Sequence, residues 1–144
     1  MQTKTYTILA SNPVGNLATI NENHTPWVTP LHLLYDEGYI YWLSSTQSQH
    51  SQNITARPQV SLSVWSPDES KGLTGLFIQS LAEVLDAEET ERIRRAFTER
   101  FGRVPPALNG AAAYRVSIGK VNENKSFGNC IYIDDYKGVE HVTQ

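Results

Sequence analysis

The chain has 144 residues, of which 40% are hydrophobic and 19% are charged, a balance that predicts one globular domain over residues 1–144 with a core of its own. The net charge of −3 argues against the broad basic surface with which nucleic-acid-binding proteins neutralise phosphates. Because the chain has a single cysteine, no secretory signal in its first residues and no run of about 18 apolar residues, we expect no disulfide, no membrane span and a cytoplasmic location.

The first predicted elements are a short helix and three strands joined by polar turns. The helix covers residues 3–10 and ends before Pro13, since the residue preceding a proline avoids helical geometry. The strands cover residues 15–21, 27–35 and 39–43, where aromatic and β-branched side chains suit a pleated sheet. Turns rich in Asn, Asp, Glu and Gly separate the strands, so we predict a three-stranded meander.

A second helix, a two-faced strand and a long strand come next. The helix covers residues 51–56 and stops before Pro58. From Val60 to Trp65, apolar residues alternate with serines, which is the period of a strand with two different faces. After a polar loop over residues 67–72, the apolar positions of residues 73–85 predict a strand long enough to bend around a barrel.

The helix over residues 87–101 has the clearest boundaries in the sequence. Asp86 is its predicted N-cap, with Glu89 in the position of a capping box, and Gly102 ends the helix. Ile93 and Phe97 belong to an apolar stripe at helical spacing. The arginines of this helix alternate with glutamates, which predicts a solvated face with i,i+4 ion pairs rather than a phosphate-binding patch.

The last strands are predicted at residues 112–121 and 130–133, after a surface loop marked by prolines and an Asn-Gly pair at residues 105–110. Meandering strands with an inserted helix predict a mainly β fold, an antiparallel β-barrel with peripheral helices. No glycine-rich phosphate loop follows a strand, which disfavours a parallel nucleotide-binding sheet.

Cysteine and histidine offer few candidates for catalysis or metal binding. No Gly-x-Ser-x-Gly motif is present, and Cys130 lies in an apolar strand, which favours a buried thiol over a nucleophile. The histidines are too widely separated for a local metal site, and we predict none: His24 in a turn, His32 in a strand, His50 in a polar turn, and His141 near the end. His50 differs from the other three because it lies next to a predicted helix start, where backbone N–H groups favour the binding of an anion.

Five aromatic side chains could form a ring-stacking surface, although packing in the barrel and at an interface is the favoured interpretation. They are Trp27, Tyr39, Tyr41, Trp42 and Trp65. One small barrel would leave part of these strands bare, which predicts that a second copy of the chain covers them.

The stretch from residue 16 to residue 65 resembles a known family. It runs from Asn16-Leu17-Ala18-Thr19-Ile20 through Trp42-Leu43-Ser44-Ser45-Thr46-Gln47-Ser48-Gln49-His50 to Arg57-Pro58-Gln59-Val60. In this order the strands, polar turn and helix resemble the core of the pyridoxamine 5'-phosphate oxidase-like, FMN-binding split-barrel family, and of a short bacterial branch within it. The resemblance implies a split barrel that binds FMN, an oxidoreductase with a small-molecule substrate, and a homodimer with the flavin at its interface.

The same resemblance implies a set of cofactor-binding residues. Around the FMN phosphate it places Ser44, Ser45, Ser48 and His50. Along the isoalloxazine ring it places the backbone of Val28, Thr29, Pro30 and Leu31. Gln79, on the long strand, would contact the ribityl chain or the ring. The resemblance assigns no catalytic residue and leaves the substrate open.

Three positions depart from the family pattern and predict weaker flavin binding. His50 stands where the family has a phosphate-binding lysine, Gln49 where it has a second basic residue, and Val28 where it has an arginine. A phosphate that faces neutral groups loses charge-assisted hydrogen bonds worth about 1.5 to 3 kcal/mol each. The Arg-x-His of the true oxidase is missing from residues 132–137, which argues against a vitamin B6 oxidase. The alternative is a non-catalytic split-barrel protein that binds another anionic ligand, or haem through His32 or His50.

Overall fold

The computed structural model describes residues 4–66, 74–104, 108, 110–119, 125–127 and 129–136. In these residues there are three helices: α1 (Lys4–Ser11), α2 (Gln49–Ala56) and α3 (Ala87–Phe101). The strands are β1 (Val14–Ile20), β2 (Pro26–His32), β3 (Leu34–Asp36), β4 (Tyr39–Ser44), β5 (Gln59–Ser66), β6 (Thr74–Val84), β7 (Ala112–Ser117), β8 (Lys125–Phe127) and β9 (Asn129–Asp135). No helix in this part of the chain has the length and apolar character needed to cross a membrane.

The strands form one mostly antiparallel sheet that curls into a half-barrel. Its order is β2-β1-β5-β6-β7-β4-β3, with β9 beside β6 and β8 beside β9. The long strand β6 joins the two halves, because its first part pairs with β5 and its last residues pair with β7. The predicted fold class, a mainly β antiparallel split barrel with peripheral helices, is confirmed. One pair departs from it, since β9 runs parallel to the part of β6 that β7 does not reach.

The predicted meander of three strands is wrong in its middle. The segment predicted as one strand, residues 27–35, is divided at Leu33 into β2 and β3, which lie at opposite ends of the sheet order. Leu33 turns into the core with 3% of its surface exposed, and its N–H donates to the Pro13 carbonyl. The predicted turn at residues 36–38 does close a hairpin, in which Glu37 and Gly38 both have positive φ.

Helix boundaries agree closely with the sequence where capping residues mark them. The side chain of Asp86 accepts a hydrogen bond from the Glu89 N–H at 2.8 Å, and Gly102 ends α3 with φ of 87°. The ion pairs on α3 join Arg92 to Glu89 and Arg94 to Glu91 at i,i+3 rather than the expected i,i+4 spacing. Cys130 is buried, as predicted.

Parts of the sequence-based prediction lie outside the described residues. These are the polar loop at residues 67–72, the Pro-Pro pair, Asn109, the end of the strand predicted to reach residue 121, and His141. The helix predicted at residues 51–56 begins two residues earlier, at Gln49, because Ser48 caps it.

Gly15, on β1, is required where Leu33 packs closely against this strand at the break between β2 and β3. A Cβ atom at this position would lie 2.6 Å from Leu33 Cδ1 and 2.8 Å from the carbonyl oxygen of Ser63. We therefore expect Gly15→Ala to lower the free energy of unfolding by about 1–3 kcal/mol, the usual cost of overpacking. Denaturant titration measures this change.

Gly75→Ala is the matched control for this substitution. A Cβ there would meet only side-chain atoms, the rings of Phe77 and Trp65, which can turn aside. Its loss of stability is expected to be the smaller of the two, and an equal or larger loss would contradict the importance of the backbone contact at Gly15.

Candidate functional site

A cleft separates the outer edge of β2 from the end of β4 and the start of α2. Its volume is about 380 Å³. It is lined by Thr29, Pro30, Leu31, His32, Leu43, Ser44, Ser45, Ser48, His50, Phe97 and Leu108. Apart from the two histidines, none of these residues has an ionisable side chain. The cleft therefore contains no Asp, Glu, Lys or Arg side chain, and it is apolar on one side and rich in hydroxyl groups on the other.

The backbone of β2 contributes hydrogen-bonding groups to this cleft. Among the described strands β2 pairs with β1 alone. The N–H of Leu33 points toward β1, where it reaches the Pro13 carbonyl. Because N–H groups alternate between the two edges of a strand, those of Val28 and His32 point to the unpaired edge. Pro30 lies between them, at a position whose N–H would also point to the unpaired edge. Proline has no N–H, and it is tolerated there because no neighbouring strand needs one.

The polar end of the cleft is a network of hydroxyl groups around one imidazole. His50 Nε2 lies 2.7 Å from Ser44 Oγ and 3.3 Å from Ser48 Oγ. The Ser48 hydroxyl also contacts Ser51 Oγ at 2.7 Å and caps α2 by accepting from the Ser51 N–H. Ser45 accepts from the Ser48 N–H, which forms the turn before the helix. The start of α2, with its unpaired N–H groups, thus faces the same space as the serines.

Burial sets the protonation state of this network. His50 is 9% exposed, and desolvation lowers its pKa from the ordinary value of about 6.5. Its partners Ser44 and Ser48 are uncharged and supply no negative charge to offset this desolvation. At neutral pH the side chain is therefore a neutral imidazole, and the polar end carries no formal charge.

The sequence-predicted site residues fall into two groups in the structure. Seven of them line the cleft: Thr29, Pro30, Leu31, Ser44, Ser45, Ser48 and His50. The other two, Val28 and Gln79, have side chains on the opposite face of the sheet, which we call the outer face. The cleft and the outer face meet along β2, whose backbone borders both.

The outer face has a shallow cavity of about 580 Å³. Strand register places residues directly beside one another in a row across it: Val28, Ala18, Ser61, Gln79 and Asp134. Small side chains in the middle of the row, Ala18 and Ser61, create the depression, and the stacked rings of Phe77 and Tyr132 border it. Sequence reasoning missed this surface, although the serines at alternate positions of β5 were its signal.

Sequence reasoning also missed three residues of the cleft: Leu43, Phe97 and Leu108. Phe97 was recognised as part of the apolar stripe of α3, but no local pattern could show that α3 packs against the cleft. His32 lies at the mouth, where its ring meets Phe101 edge-on with 5.5 Å between centroids.

The five aromatic residues named above do not form one surface. Tyr41 and Trp42 are buried, and Trp42 stacks on Tyr114 with 6.0 Å between ring centroids, so packing in the barrel is confirmed for them. Trp27 and Trp65 are 43% and 46% exposed. His24 lies in the β1–β2 turn, as predicted, with φ of 65°. The described residues contain no cluster of three or more potential metal ligands.

A curled, mostly antiparallel half-barrel with a cleft along its edge strand is the split-barrel fold. The family model described as pyridoxamine 5'-phosphate oxidase matches residues 1–125. The chain therefore belongs to this family. No curated protein matches its sequence.

Solved structures agree on the fold. The haem storage protein HutZ from Vibrio cholerae is 20% identical, with a TM-score of 0.65 over 79% of this chain and 87% of that one. A pyridoxamine 5'-phosphate oxidase-type protein from Listeria innocua is 22% identical, with a TM-score of 0.61 over 78% and 89% of the two chains. A FAD-binding protein from Mesorhizobium loti is 23% identical, with a TM-score of 0.61 over 78% and 86%. At these identities the comparisons establish the fold alone.

Proposed function

We propose that the chain binds a flavin, FMN or a close relative, in the cleft beside β2 and acts as an oxidoreductase on a small-molecule substrate. The observation that carries this proposal is the meeting of three separate segments at one cleft: the β2 edge, the Ser44–Ser48 turn and the start of α2. Membership of the pyridoxamine 5'-phosphate oxidase family supports it. When bound, the flavin would supply the redox chemistry, while the protein binds and orients it.

The residues at the polar end fit a phosphate group. Ser44 and Ser45 offer hydroxyl groups that can donate, the Ser48 hydroxyl can do so by leaving the Ser45 carbonyl to which it now donates, and the start of α2 offers backbone N–H groups. His50 lies within hydrogen-bonding distance of two of these hydroxyls and can gain a proton when an anion arrives. This end would hold the phosphate without a permanent positive charge.

The residues at the other end fit a planar ring with a polar edge. The N–H groups of Val28 and His32, with the carbonyls on the same edge of β2, can pair with ring heteroatoms. Leu31, Leu43 and Phe97 give the ring an apolar surface. A largely apolar cleft with a few convergent polar groups is the usual form of a cofactor site.

The absorption spectrum of the purified protein, recorded before and after adding FMN, tests this proposal. We expect a flavin absorption band at about 450 nm that stays with the protein through gel filtration. A colourless protein that neither retains FMN nor quenches its fluorescence would contradict flavin binding. Ser48→Ala is expected to weaken retention, since it removes a hydroxyl from the polar end, whereas Ser66→Ala, on β5 away from the cleft, is the control.

Haem binding is the second candidate function, and the position of His32 favours it. His32 is exposed at the mouth of the cleft, whereas His50 is buried against Ser44 and is poorly placed to reach a metal. Two of the similar solved structures, HutZ and a protein from Mycobacterium smegmatis, are described as a haem storage protein and a haem-binding protein. The same spectrum distinguishes the candidates, because bound haem gives a Soret band that His32→Ala should shift or remove.

A second copy of the chain is the partner that we propose for the outer face. Four apolar side chains are exposed there, one on each of β1, β2, β5 and β9: Val14, Val28, Trp65 and Tyr132. Exposed apolar surface of this kind favours protein contact. In such a homodimer the second copy would lie beside β2, whose backbone borders both the outer face and the cleft.

A further inference from the structure

A third cavity lies at the opposite end of β2 from the mouth of the cleft. Its volume is about 410 Å³. It is lined by Asn21, Glu22, Asn23, Trp27 and Gln49, and we call it the amide pocket. None of these residues lines the cleft, and the proposed function so far gives the pocket no role.

Trp27 lies on the α2 side of the sheet. It is paired in register with Thr19, so the two side chains share a face. The Thr19 hydroxyl is buried and accepts from the Asn53 side chain of α2 at 3.0 Å, which fixes that face as the inner one. Val28, the next residue, points to the outer face. A partner on the outer face would therefore leave Trp27 exposed, and the exposure of this large ring needs another explanation.

The amide side chains of the pocket are held by hydrogen bonds. Asn21 Oδ1 accepts from Asn53 Nδ2 at 2.9 Å and from Gln49 Nε2 at 3.4 Å, and its Nδ2 donates to Thr25 Oγ1. Asn23 Oδ1 accepts from the Thr25 N–H. These bonds engage neither Gln49 Oε1 nor Asn23 Nδ2. An acceptor and a donor are thus held in place beside the indole ring.

The amide pocket adjoins the polar end of the cleft. Gln49 lies between Ser48 and His50 in the first turn of α2. Trp27 precedes Thr29 by two residues on β2, about 7 Å along an extended strand. A ligand whose phosphate lies at the start of α2 can therefore extend past Gln49 toward Trp27.

The chemistry of the pocket selects the class of group that would enter it. The exposed indole ring can stack on a planar base. The Glu22 carboxylate can accept from a pair of ribose hydroxyls, as acidic residues do in dinucleotide sites, and it repels an anionic tail. The amides of Gln49 and Asn23 can accept from and donate to the base. A neutral nucleoside matches these features.

We propose that the amide pocket binds the adenosine half of a flavin dinucleotide, so that the cofactor class is FAD rather than FMN. This inference rests on the proposed flavin site. The riboflavin phosphate half lies in the cleft, the second phosphate passes the start of α2, and adenine stacks on Trp27.

The test compares FMN and FAD binding to the full chain and to Trp27→Ala, by fluorescence titration. FAD is expected to bind wild type more tightly than FMN. Trp27→Ala is expected to weaken FAD about tenfold or more, the range of base stacking on an aromatic ring, and to change FMN binding less than about twofold. Trp65→Ala is the matched control, because Trp65 is equally exposed but lies on the outer face. It should leave the ratio of the two affinities unchanged.

Adenosine 5'-monophosphate alone separates the failure of this inference from that of the proposed function. Quenching of tryptophan fluorescence by this nucleotide, lost in Trp27→Ala, supports the pocket even if no flavin binds. If FMN binds and the affinity for FAD is no higher, or if Trp27→Ala lowers the affinities for FMN and FAD equally, the proposed role of the amide pocket is wrong while the proposed flavin site stands. If no flavin and no nucleotide bind, both are overturned. Unchanged thermal melting of Trp27→Ala would show that the fold is retained.

Discussion

Replacing His50 by lysine is expected to raise FMN affinity about tenfold or more at pH 7.5. The wild-type imidazole is neutral at this pH because burial lowers its pKa, whereas lysine starts from an ordinary pKa of about 10.4 and a bound phosphate dianion favours its charged form. A hydrogen bond to a charged group contributes about 1.5–3 kcal/mol, and 1.4 kcal/mol corresponds to a factor of about ten. The side chain is already close to Ser44 and Ser48, so the added ammonium would lie at the polar end of the cleft.

The wild-type protein should also bind FMN less tightly as pH rises. The free imidazole has a lowered pKa, and a bound phosphate dianion favours the protonated form, so binding takes up a proton. The affinity for FMN therefore falls as the pH rises from the pKa of His50 in the free protein to its pKa in the FMN-bound protein. Above about pH 6.5 the phosphate itself stays mainly dianionic, so a decline from there to about pH 8 is assigned to His50. His50→Lys should remove this decline.

Fluorescence titration with FMN at several pH values measures both effects. Gln52→Lys is the control, because it adds the same charge to the exposed side of the same helix. Equal affinities for wild type, His50→Lys and Gln52→Lys, with no pH dependence, would mean that His50 does not approach the phosphate. A gain of equal size in both lysine variants would point to general charge attraction instead.

Local signals in the sequence predicted some elements well. The bounds of α3 follow from Asp86, Gly102 and an apolar stripe, all of which act within one or two turns of the chain. The division between β2 and β3 was not predictable in the same way. Residues 31–35 keep strand-like composition through the break, and the burial of Leu33 against Gly15, 18 residues earlier, is a contact that no local pattern shows.

The candidate site shows the same contrast between local and distant effects. Ser44, Ser48 and His50 are near in sequence, and the turn and helix cap bring them together. Val28 and Gln79 depend instead on strand register, which directs their side chains to the outer face and leaves only the backbone of Val28 at the cleft. The cofactor-binding role of all nine residues remains a prediction. The direction of the pKa shift at His50 follows from the burial of its ring, which depends on the packing of α2 against β1, β2 and β6, and so on residues distant in sequence.

Val28→Glu is expected to convert a homodimer into a monomer. Val28 is 65% exposed, so a glutamate at this position costs the isolated fold little. In a dimer formed through the outer face the carboxylate would meet the partner's apolar surface, where an unpaired buried charge is strongly destabilising. Sedimentation velocity at micromolar concentration measures the change in mass.

Val84→Glu is the matched control, because Val84 is 53% exposed and belongs to the end of β6 that pairs with β7, away from the outer face. It should leave the mass of the wild type unchanged. A wild type that sediments only as a monomer, or equal loss of dimer in the two variants, would contradict an interface at the outer face. The backbone of Val28 borders the cleft, whereas its side chain lies on the outer face. If the Val28→Glu variant is monomeric and also no longer binds flavin, the second copy of the chain completes the cofactor site.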